Sequence, residues 1–153
     1  MIKGNGIKLL VIHGPNLNQL GVREPDLYGR ETLEDINKRL AAQAAAYSLE
    51  LDFFQSNHEG DLVDAVQKVG WAYDGAILNA AGYTHTSVAL RDAILSIAKP
   101  VVEVHMTNPA AREEFRHKSL LAGAAAGCIS GFGAKSYEMA LWWFYVQDQI
   151  EVV

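Results

Sequence analysis

Glu103 and His105, near the end of an apolar segment, have the residue types and the spacing of an acid–base pair. They stand two positions apart in PVVEVHM (100–106), which we predict to be a β-strand, so both side chains should point to the same face. Imidazole is the side chain best suited to give or take a proton near neutral pH. Glu103 could orient His105; the alternative is that the two form a purely structural pair.

A possible anion site follows this segment. The backbone N–H groups of Met106 and Thr107 precede a cap residue and a proline, a pattern that predicts a short helix over 110–119. Arg112 and Arg116 would lie on one face of that helix, where a bound carboxylate would offset their mutual repulsion. The alternative is that both arginines are simply solvated.

The connection LNQLGVREPDLYGRET (17–32) is long and has little helical or strand pattern. Long loops in compact α/β domains are often lids over an active site. This one carries Arg23 and Tyr28. A guanidinium beside a phenol favours the phenolate, which is a strong general base, so the pair could remove a proton from a substrate. The alternative is that Tyr28 is an ordinary exposed loop residue.

A regular alternation of strands and helices must position these residues. We predict strands at 8–13, 50–56, 75–79, 100–106 and 124–130, and helices at 32–49, 61–73, 86–98, 110–119 and 134–149. Thr32 and Asp35 come close to a capping box at the start of the first helix. The strands are nearly continuous apolar runs, which is typical of strands buried on both faces of a parallel sheet.

Five such units are too few for a closed eightfold barrel, so the pattern predicts an open α/β fold. We expect a flavodoxin-like three-layer sandwich, with a five-stranded parallel sheet in the order 2-1-3-4-5 and residues 1–153 as one domain. Ligands of such sheets bind beyond the carboxyl ends of the strands. Asn or His follows four of the five strands, in the segments HGPNLN, SNHEG, NAAGYTHTS and HMTN. We therefore expect the functional site at that edge of the sheet.

Composition argues against several classes of protein. The net charge of −5 argues against a nucleic-acid partner or a membrane partner, and no apolar run approaches the roughly 20 residues that span a bilayer. The single cysteine, Cys128, suits a reducing compartment, so we expect a cytoplasmic protein with Cys128 as a small buried hydrophobe. The histidines lack metal-ligand spacing and no cofactor motif is complete, so we expect neither a metal nor a cofactor.

Two other functions stay open on the residues alone. A flavodoxin-like binding or signalling module would recognise a nucleotide or a flavin, although the loop after the first strand lacks a Gly/Ser/Thr phosphate site. A lysine-dependent dehydratase would form a Schiff base with its substrate. Lys8 and Lys99, however, stand at the amino ends of predicted strands, on the opposite edge from the expected site.

Four segments of the chain closely resemble, in order and in spacing, the signature segments of type II 3-dehydroquinate dehydratases. They are GPNLNQLGVREPDLYG (14–29), FQSNHEGDLVD (54–64), NAAGYTHTSVALRDA (79–93) and EVHMTNPAAREEFRHKS (103–119). The resemblance implies a flavodoxin-like fold and an anti elimination of water from 3-dehydroquinate through an enolate, giving 3-dehydroshikimate. It also implies no Schiff base, no cofactor and a homododecamer built from trimers, serving either the shikimate pathway or quinate breakdown.

The resemblance assigns catalytic roles to five residues. Tyr28 would take the proton from C2 of the substrate, and Arg23 would lower the pKa of Tyr28 and stabilise the charged transition state. Asn16 would hold a water molecule against the developing enolate oxygen, an oxyanion-hole role. His105 would protonate the departing C1 hydroxyl, with Glu103 behind it.

The same matching implies the residues that would contact the substrate: Asn79, His85, Asp92, Met106, Thr107 and Arg116. The N–H groups of residues 106 and 107 would hold the substrate carboxylate, with Asn79 nearby. His85 and Arg116 would bind ring hydroxyls. Asp92 would reach in from a neighbouring subunit of the trimer.

The chain departs from the family pattern at three positions near this site. Thr107 stands where the family usually has Ser, and Ala80 occupies a position that is often Pro. Pro109 replaces an aliphatic or polar residue and should stiffen the start of the short helix. None of the three is a proposed proton-transfer group, so we expect these departures to affect substrate affinity more than activity.

Overall fold

The computed structural model of the chain describes residues 6–22 and 24–150, without the side chains of residues 28, 149 and 150. Five parallel strands form one sheet in the order 2-1-3-4-5, which confirms the predicted fold class and strand order. The strands are β1 (Lys8–His13), β2 (Glu50–Gln55), β3 (Gly75–Asn79), β4 (Val101–His105) and β5 (Gly127–Ser130). His13 pairs with Gln55 on one side and with Asn79 on the other, so the carboxyl ends of the three strands are level.

Helices cover both faces of the sheet. In the described part of the chain they are α1 (Pro25–Tyr28), α2 (Leu33–Ala46), α3 (Glu59–Ala72), α4 (Val88–Ser96) and α5 (Lys135–Ile150). Helices α2 and α5 lie together on one face, and α3 and α4 lie together on the other. None of the helices in the described ranges combines the length and the apolar character needed to cross a membrane.

The hydrophobic core has two halves, one on each side of the sheet. Leu9 and Val11 of β1 face one half with α2 and α5, whereas Leu10 and Ile12 face the other half with α3 and α4. All four side chains are buried. Two-sided burial is the physical reason why the central strands β1, β3 and β4 are continuous apolar runs in the sequence.

The predicted start of α2 is confirmed. The Thr32 hydroxyl accepts a hydrogen bond from the Asp35 N–H at 3.2 Å, and the Asp35 carboxylate accepts from the Thr32 N–H at 3.1 Å. This capping box satisfies backbone donors that an α-helix leaves unpaired in its first turn.

The predicted helix over 110–119 is wrong. Two separate 3-10 turns occupy this region, Pro109–Ala111 and Glu114–Arg116, and Arg112 between them has extended backbone (φ −110°, ψ −165°). Asn108 does cap the first turn, since its side chain accepts from the Ala110 N–H at 3.2 Å. The extended residue interrupts the helical repeat, so the two arginines of this segment do not share one helical face.

The interpretation of Cys128 as a buried residue is also wrong. Strand β5 is only four residues long and lies at the edge of the sheet, where Gly127 and Cys128 are exposed. Strand β2, at the other edge, likewise alternates between exposed and partly buried positions. An edge strand has a neighbour on one side only, so an apolar run there need not be fully covered.

The connection 17–32 contains more regular structure than its sequence pattern indicates. Leu17–Gln19 forms a 3-10 turn, and Pro25 begins the single helical turn α1, which ends at Gly29 with φ 82°. The proline stands at the first helical position, where its fixed φ is favourable.

Candidate active site

The loops that follow β1 and β3 touch at Gly14. Its N–H donates to the Asn79 carbonyl at 2.7 Å, and a Cβ at this position would lie 2.6 Å from the Ala80 carbonyl oxygen. Glycine is therefore required by the close approach of the two backbones. Two residues further on, Asn16 has left-handed backbone (φ 68°), which asparagine tolerates well, and its N–H donates to the Asn57 side chain at 3.0 Å. The contact brings Asn16 and Asn79 to the same edge of the sheet.

A cavity of about 140 Å³ opens at this edge, beyond the carboxyl ends of β1, β3 and β4. Eight residues singled out from the sequence line it together: Asn16, Asn79, His85, His105, Met106, Thr107, Arg112 and Arg116. The remaining lining comes from Pro15, Leu17, Leu20, Ala81, Gly82 and Pro109. The described lining contains two arginines and no carboxylate, a charge balance that suits an anionic ligand.

Glu103 and His105 form a hydrogen-bonded pair, with the His105 Nε2 atom 3.0 Å from the Glu103 Oε1 atom. Glu103 is fully buried and His105 is 8% exposed. Because a carboxylate can only accept, Nε2 carries the proton of this bond, and Nδ1 is the ring nitrogen left for exchange with another group. The strand pairing places the imidazole in the cavity wall and the carboxylate directly behind it.

Three donors converge on the same oxygen of Glu103. Besides His105, the Thr84 hydroxyl donates to Oε1 at 3.1 Å and the Ser119 hydroxyl at 2.6 Å. Burial by itself would raise the pKa of Glu103, but the hydrogen bonds from His105 and Ser119 hold it below its ordinary value. Glu103 is therefore a buried anion hydrogen-bonded to the imidazole of His105.

Cys128 lies on β5 opposite Glu103. Although Cys128 as a residue is exposed, its sulfur lies against Glu103 and is partly shielded from water. This desolvation and the negative charge of Glu103 raise the pKa of Cys128 to about 12, so the thiol keeps its proton. Possible ligand atoms of Glu103, His105 and Cys128 lie within 4.8 Å of one another, and in the described chain these three residues are the group that could hold a metal ion. A metal ion bound there would have to replace the proton of the Cys128 thiol and break the hydrogen bond between Glu103 and His105.

His85 lies beside His105, with the two ring centroids 6.5 Å apart. The Nδ1 atom of His85 is 2.8 Å from the Lys118 carbonyl oxygen, and since a carbonyl only accepts, Nδ1–H is the donor. A neutral His85 therefore presents Nε2 as an acceptor. Such a nitrogen can receive a hydrogen bond from a ligand hydroxyl.

Arg112 and Arg116 both reach the cavity although no continuous helix joins them. The Nη1 atom of Arg112 lies 3.4 Å from the Thr107 hydroxyl. The Nε–H of Arg116 donates to Glu113 at 2.7 Å, and the guanidinium lies over the Phe115 ring at 5.0 Å. These contacts hold both guanidinium groups in the wall of the cavity.

Some predicted site residues lie elsewhere. Asp92 is exposed on α4 and is not among the residues that line the cavity of this chain. Arg23 and the side chain of Tyr28 lie outside the described residues, so the predicted base pair has no described geometry. The connection that carries them starts from the cavity wall at Leu17 and Leu20.

Two residues of the site were missed by the sequence analysis. The partners of Glu103, Thr84 and Ser119, lie 19 and 16 positions away from it along the chain, and no short motif links a buried carboxylate to such distant hydroxyls. Arg112, by contrast, was paired with Arg116 in the sequence analysis as part of a possible anion site. The structure places both arginines in the cavity wall, although the helix that was expected to join them does not form.

Comparisons with known proteins point to a single family. The family model for class II dehydroquinase matches residues 7–145. The 3-dehydroquinate dehydratase of Bacillus licheniformis is 52% identical over 136 residues, which is 89% of this chain and 94% of that protein. The enzyme of the same name from Acaryochloris marina is 53% identical, over 87% of this chain and 89% of that protein.

Solved structures extend the comparison to the fold. The type II dehydroquinase of Butyrivibrio crossotus superposes with a TM-score of 0.88 at 41% identity, covering 90% of this chain and 97% of the other. The type II dehydroquinase of Propionibacterium acnes gives a TM-score of 0.90 at 35% identity, covering 92% and 97%. The chain belongs to the class II dehydroquinase family.

Proposed function

We propose that this chain catalyses the removal of water from 3-dehydroquinate to give 3-dehydroshikimate, in the shikimate pathway or in quinate breakdown. The reaction is an anti elimination through an enolate and uses side chains alone, without a Schiff base, a metal or a cofactor. The observation that carries the proposal is the buried Glu103–His105 pair in the wall of a cavity that also collects Asn16, Asn79 and His85. The relatives described above carry the name of this activity.

His105 acts as the general acid in this proposal. It protonates the C1 hydroxyl of the substrate, which leaves as water, while the buried carboxylate of Glu103 stabilises the imidazolium and fixes its ring. The 3.0 Å contact between the two side chains and the hydrogen bonds that anchor Glu103 support this assignment.

Tyr28 acts as the general base, and Arg23 favours its phenolate. The support is the matching of the segment 14–29 to the family and the position of the segment, which leaves the cavity wall at Leu20 and enters α1 three residues before Tyr28. As the proton leaves C2, charge develops on the enolate oxygen. Asn16, in the cavity wall, holds a water molecule that stabilises this charge.

The remaining polar groups bind the substrate. The backbone N–H groups of Met106 and Thr107, with Asn79, hold its carboxylate, and His85 and Arg116 bind its ring hydroxyls. The support is that all five residues line one cavity. The acceptor nitrogen of His85 suits a hydroxyl, and the cationic lining suits a carboxylate.

The two rival functions are separable by simple observations. A flavin-binding module would be yellow when purified, whereas we expect a colourless protein. For a Schiff-base enzyme, borohydride with substrate would inactivate the protein; we expect no inactivation, because Lys8 pairs with Asp52 at the start of β1 and Lys99 precedes β4, both on the edge opposite the cavity.

The decisive test follows the ultraviolet absorbance of the conjugated product with the wild type and with Tyr28→Phe. We expect the wild type to be active and Tyr28→Phe to lose nearly all kcat, since the variant lacks the ionisable hydroxyl. Tyr47→Phe is the matched control, because its ring stacks on Tyr145 away from the cavity, and it should keep full activity. An inactive wild type would refute the proposed function; a fully active Tyr28→Phe would remove Tyr28 from the mechanism.

We also propose a homo-oligomer, a dodecamer built from trimers, in the cytoplasm. Asp92 then completes the cavity of a neighbouring subunit, which is consistent with its exposure on α4 of its own chain. The single cysteine suits a reducing compartment. Light scattering should give twelve times the mass of one chain, and a monomer with full activity would refute the shared site.

A further inference from the structure

A line of polar side chains runs from the cavity into the protein interior. The Nδ2 atom of Asn79 lies 2.9 Å from the Tyr137 hydroxyl, which lies 3.0 Å from Nδ1 of His13. The Nε2 atom of His13 then lies 2.8 Å from Oδ1 of Asn37. Asn79 lines the cavity, whereas the other three do not, and both Tyr137 and His13 are fully buried.

The hydrogen bonds of this line have one consistent direction. Asn37 offers an oxygen, so the proton of His13 is on Nε2. Burial lowers the pKa of His13 to about 4, so near neutral pH the ring is uncharged and its Nδ1 can only accept. The hydroxyl of Tyr137 therefore donates to His13, and its oxygen is left to accept from the Asn79 amide.

The other end of the Asn79 amide is also occupied. Its Oδ1 atom accepts from the Ala81 N–H at 3.1 Å. One amide hydrogen goes to Tyr137, which leaves the second N–H as the donor that Asn79 can present to a ligand. With both ends held, the amide cannot turn over without breaking two hydrogen bonds.

The tyrosine is placed by the turn between β5 and α5. The Gly131 N–H donates to the His105 carbonyl at 3.2 Å, and the Gly133 N–H donates to the Met106 carbonyl at 2.8 Å. Gly131 has φ 98° and Gly133 has φ 60°, conformations that favour glycine. The turn ties the start of α5, and hence Tyr137, to the segment that forms the cavity wall.

We propose that Tyr137 and His13 are positioning residues that hold the amide of Asn79 with an N–H toward the cavity. The inference rests on the proposed function, in which this N–H binds the substrate carboxylate. If the amide turned over, its oxygen would face the carboxylate and repel it. The pair acts through Asn79 and touches neither the substrate nor the reacting atoms.

The kinetic test compares Tyr137→Phe with the wild type. The variant removes the acceptor of the Asn79 amide, so we expect KM to rise about tenfold, the size of roughly one hydrogen bond, with kcat changed less than twofold. Tyr73→Phe is the matched control, because it also removes a hydrogen-bonded hydroxyl, to Asp52 at 2.6 Å, but away from the cavity. Its KM should stay at the wild-type value.

A double-mutant cycle separates positioning from general destabilisation. In an Asn79→Ala background, Tyr137→Phe should raise KM no further, because the group that it positions is gone. An equal rise in both backgrounds, or no rise in either, would overturn the inference. If Tyr137→Phe does not fold, His13→Leu serves instead: the freed hydroxyl of Tyr137 can then donate to Asn79 and favour the turned amide, so KM should rise by a similar factor.

A spectroscopic measurement tests the same line without turnover. Nitrogen chemical shifts of the wild-type protein at neutral pH should show His13 as the neutral form protonated on Nε2. A proton on Nδ1 would reverse the bond to Tyr137 and overturn the inference even if the proposed reaction is correct. An inactive wild type with the expected tautomer would instead refute the proposed function and leave the orientation of Asn79 in place.

Discussion

Glu103 illustrates how one side chain joins packing to chemistry. It is fully buried, and a buried carboxylate is stable only when donors compensate for the lost water. His105, Thr84 and Ser119 supply those donors to a single oxygen. The hydrogen bonds from His105 and Ser119 hold the pKa of Glu103 below its ordinary value, so near neutral pH a negative charge lies behind the imidazole in the cavity wall.

Glu103→Gln should therefore reduce kcat on the order of 100-fold, with a much smaller change in KM. The amide keeps the size of the side chain and can still accept from Thr84 or Ser119, but it cannot stabilise an imidazolium, and general acid catalysis contributes about that much. Steady-state kinetics, with circular dichroism to check folding, measure the effect. A kcat equal to that of the wild type would show that the pair is structural, which was the alternative interpretation of the sequence.

At the scale of elements, the site depends on where two loops meet. Strands β1 and β3 are neighbours, so their carboxyl ends are level. The backbones that follow them can touch only because one of the two residues at the contact has no side chain. Gly14 provides that contact against Ala80. Asn16 and Asn79 enter one cavity because the backbones come this close.

Gly14→Ala should lower the free energy of unfolding by about 1–3 kcal/mol, the usual cost of overpacking, and should also raise KM. The added Cβ would lie 2.6 Å from a backbone oxygen, so the two loops must move apart. Gly60→Ala is the control: nothing lies within 4 Å of its Cβ, and alanine in a helix is favoured over glycine by about 0.5–1 kcal/mol. Urea unfolding should show a lower free energy of unfolding than the wild type for Gly14→Ala and a higher one for Gly60→Ala. If Gly14→Ala were as stable as the wild type, the close contact between residues 14 and 80 would be contradicted.

At the scale of the whole molecule, a buried histidine that does not touch the substrate links the stability of the fold to pH. His13 is fully buried at the end of β1, between the sheet and α2, and its partners come from α2 and α5. Burial lowers its pKa from 6.5 to about 4, so the folded protein resists protonation there.

This shift predicts a definite dependence of stability on pH. Between pH 6.5 and about 4 the unfolded chain binds a proton at residue 13 that the folded protein does not bind, so the free energy of unfolding falls as the pH falls through this window. The loss from this group is about 3 kcal/mol at most, and above pH 6.5 its contribution is constant. Denaturant unfolding of the wild type and of His13→Leu at several pH values gives the free energy of unfolding as a function of pH. The difference between the slopes of the two curves measures the contribution of His13. Parallel curves for the two proteins would contradict a depressed pKa.

Much of the fold and of the site could be predicted because the signals are local. Continuous apolar runs at β1, β3 and β4 indicate strands buried on both faces, and the Thr32–Asp35 pair indicates where a helix begins. The polar residues that follow these strands share one edge of any parallel sheet. Eight of the predicted site residues line the same cavity, most of them for that reason.

Other features had no local signal in the sequence. The exposure of Cys128 follows from the edge position of β5, and the Asn-Pro start did not reveal the extended backbone at Arg112. The line through His13 and Tyr137 joins residues 124 positions apart, and the two hydroxyl donors to Glu103 come from separate segments of the chain. The sequence by itself determined which residues stand at the strand ends, since periodicity and residue type are properties of the chain. Only the tertiary structure decided which side chains meet behind them, because those partners are set by how the two helical layers and the loops pack around the sheet.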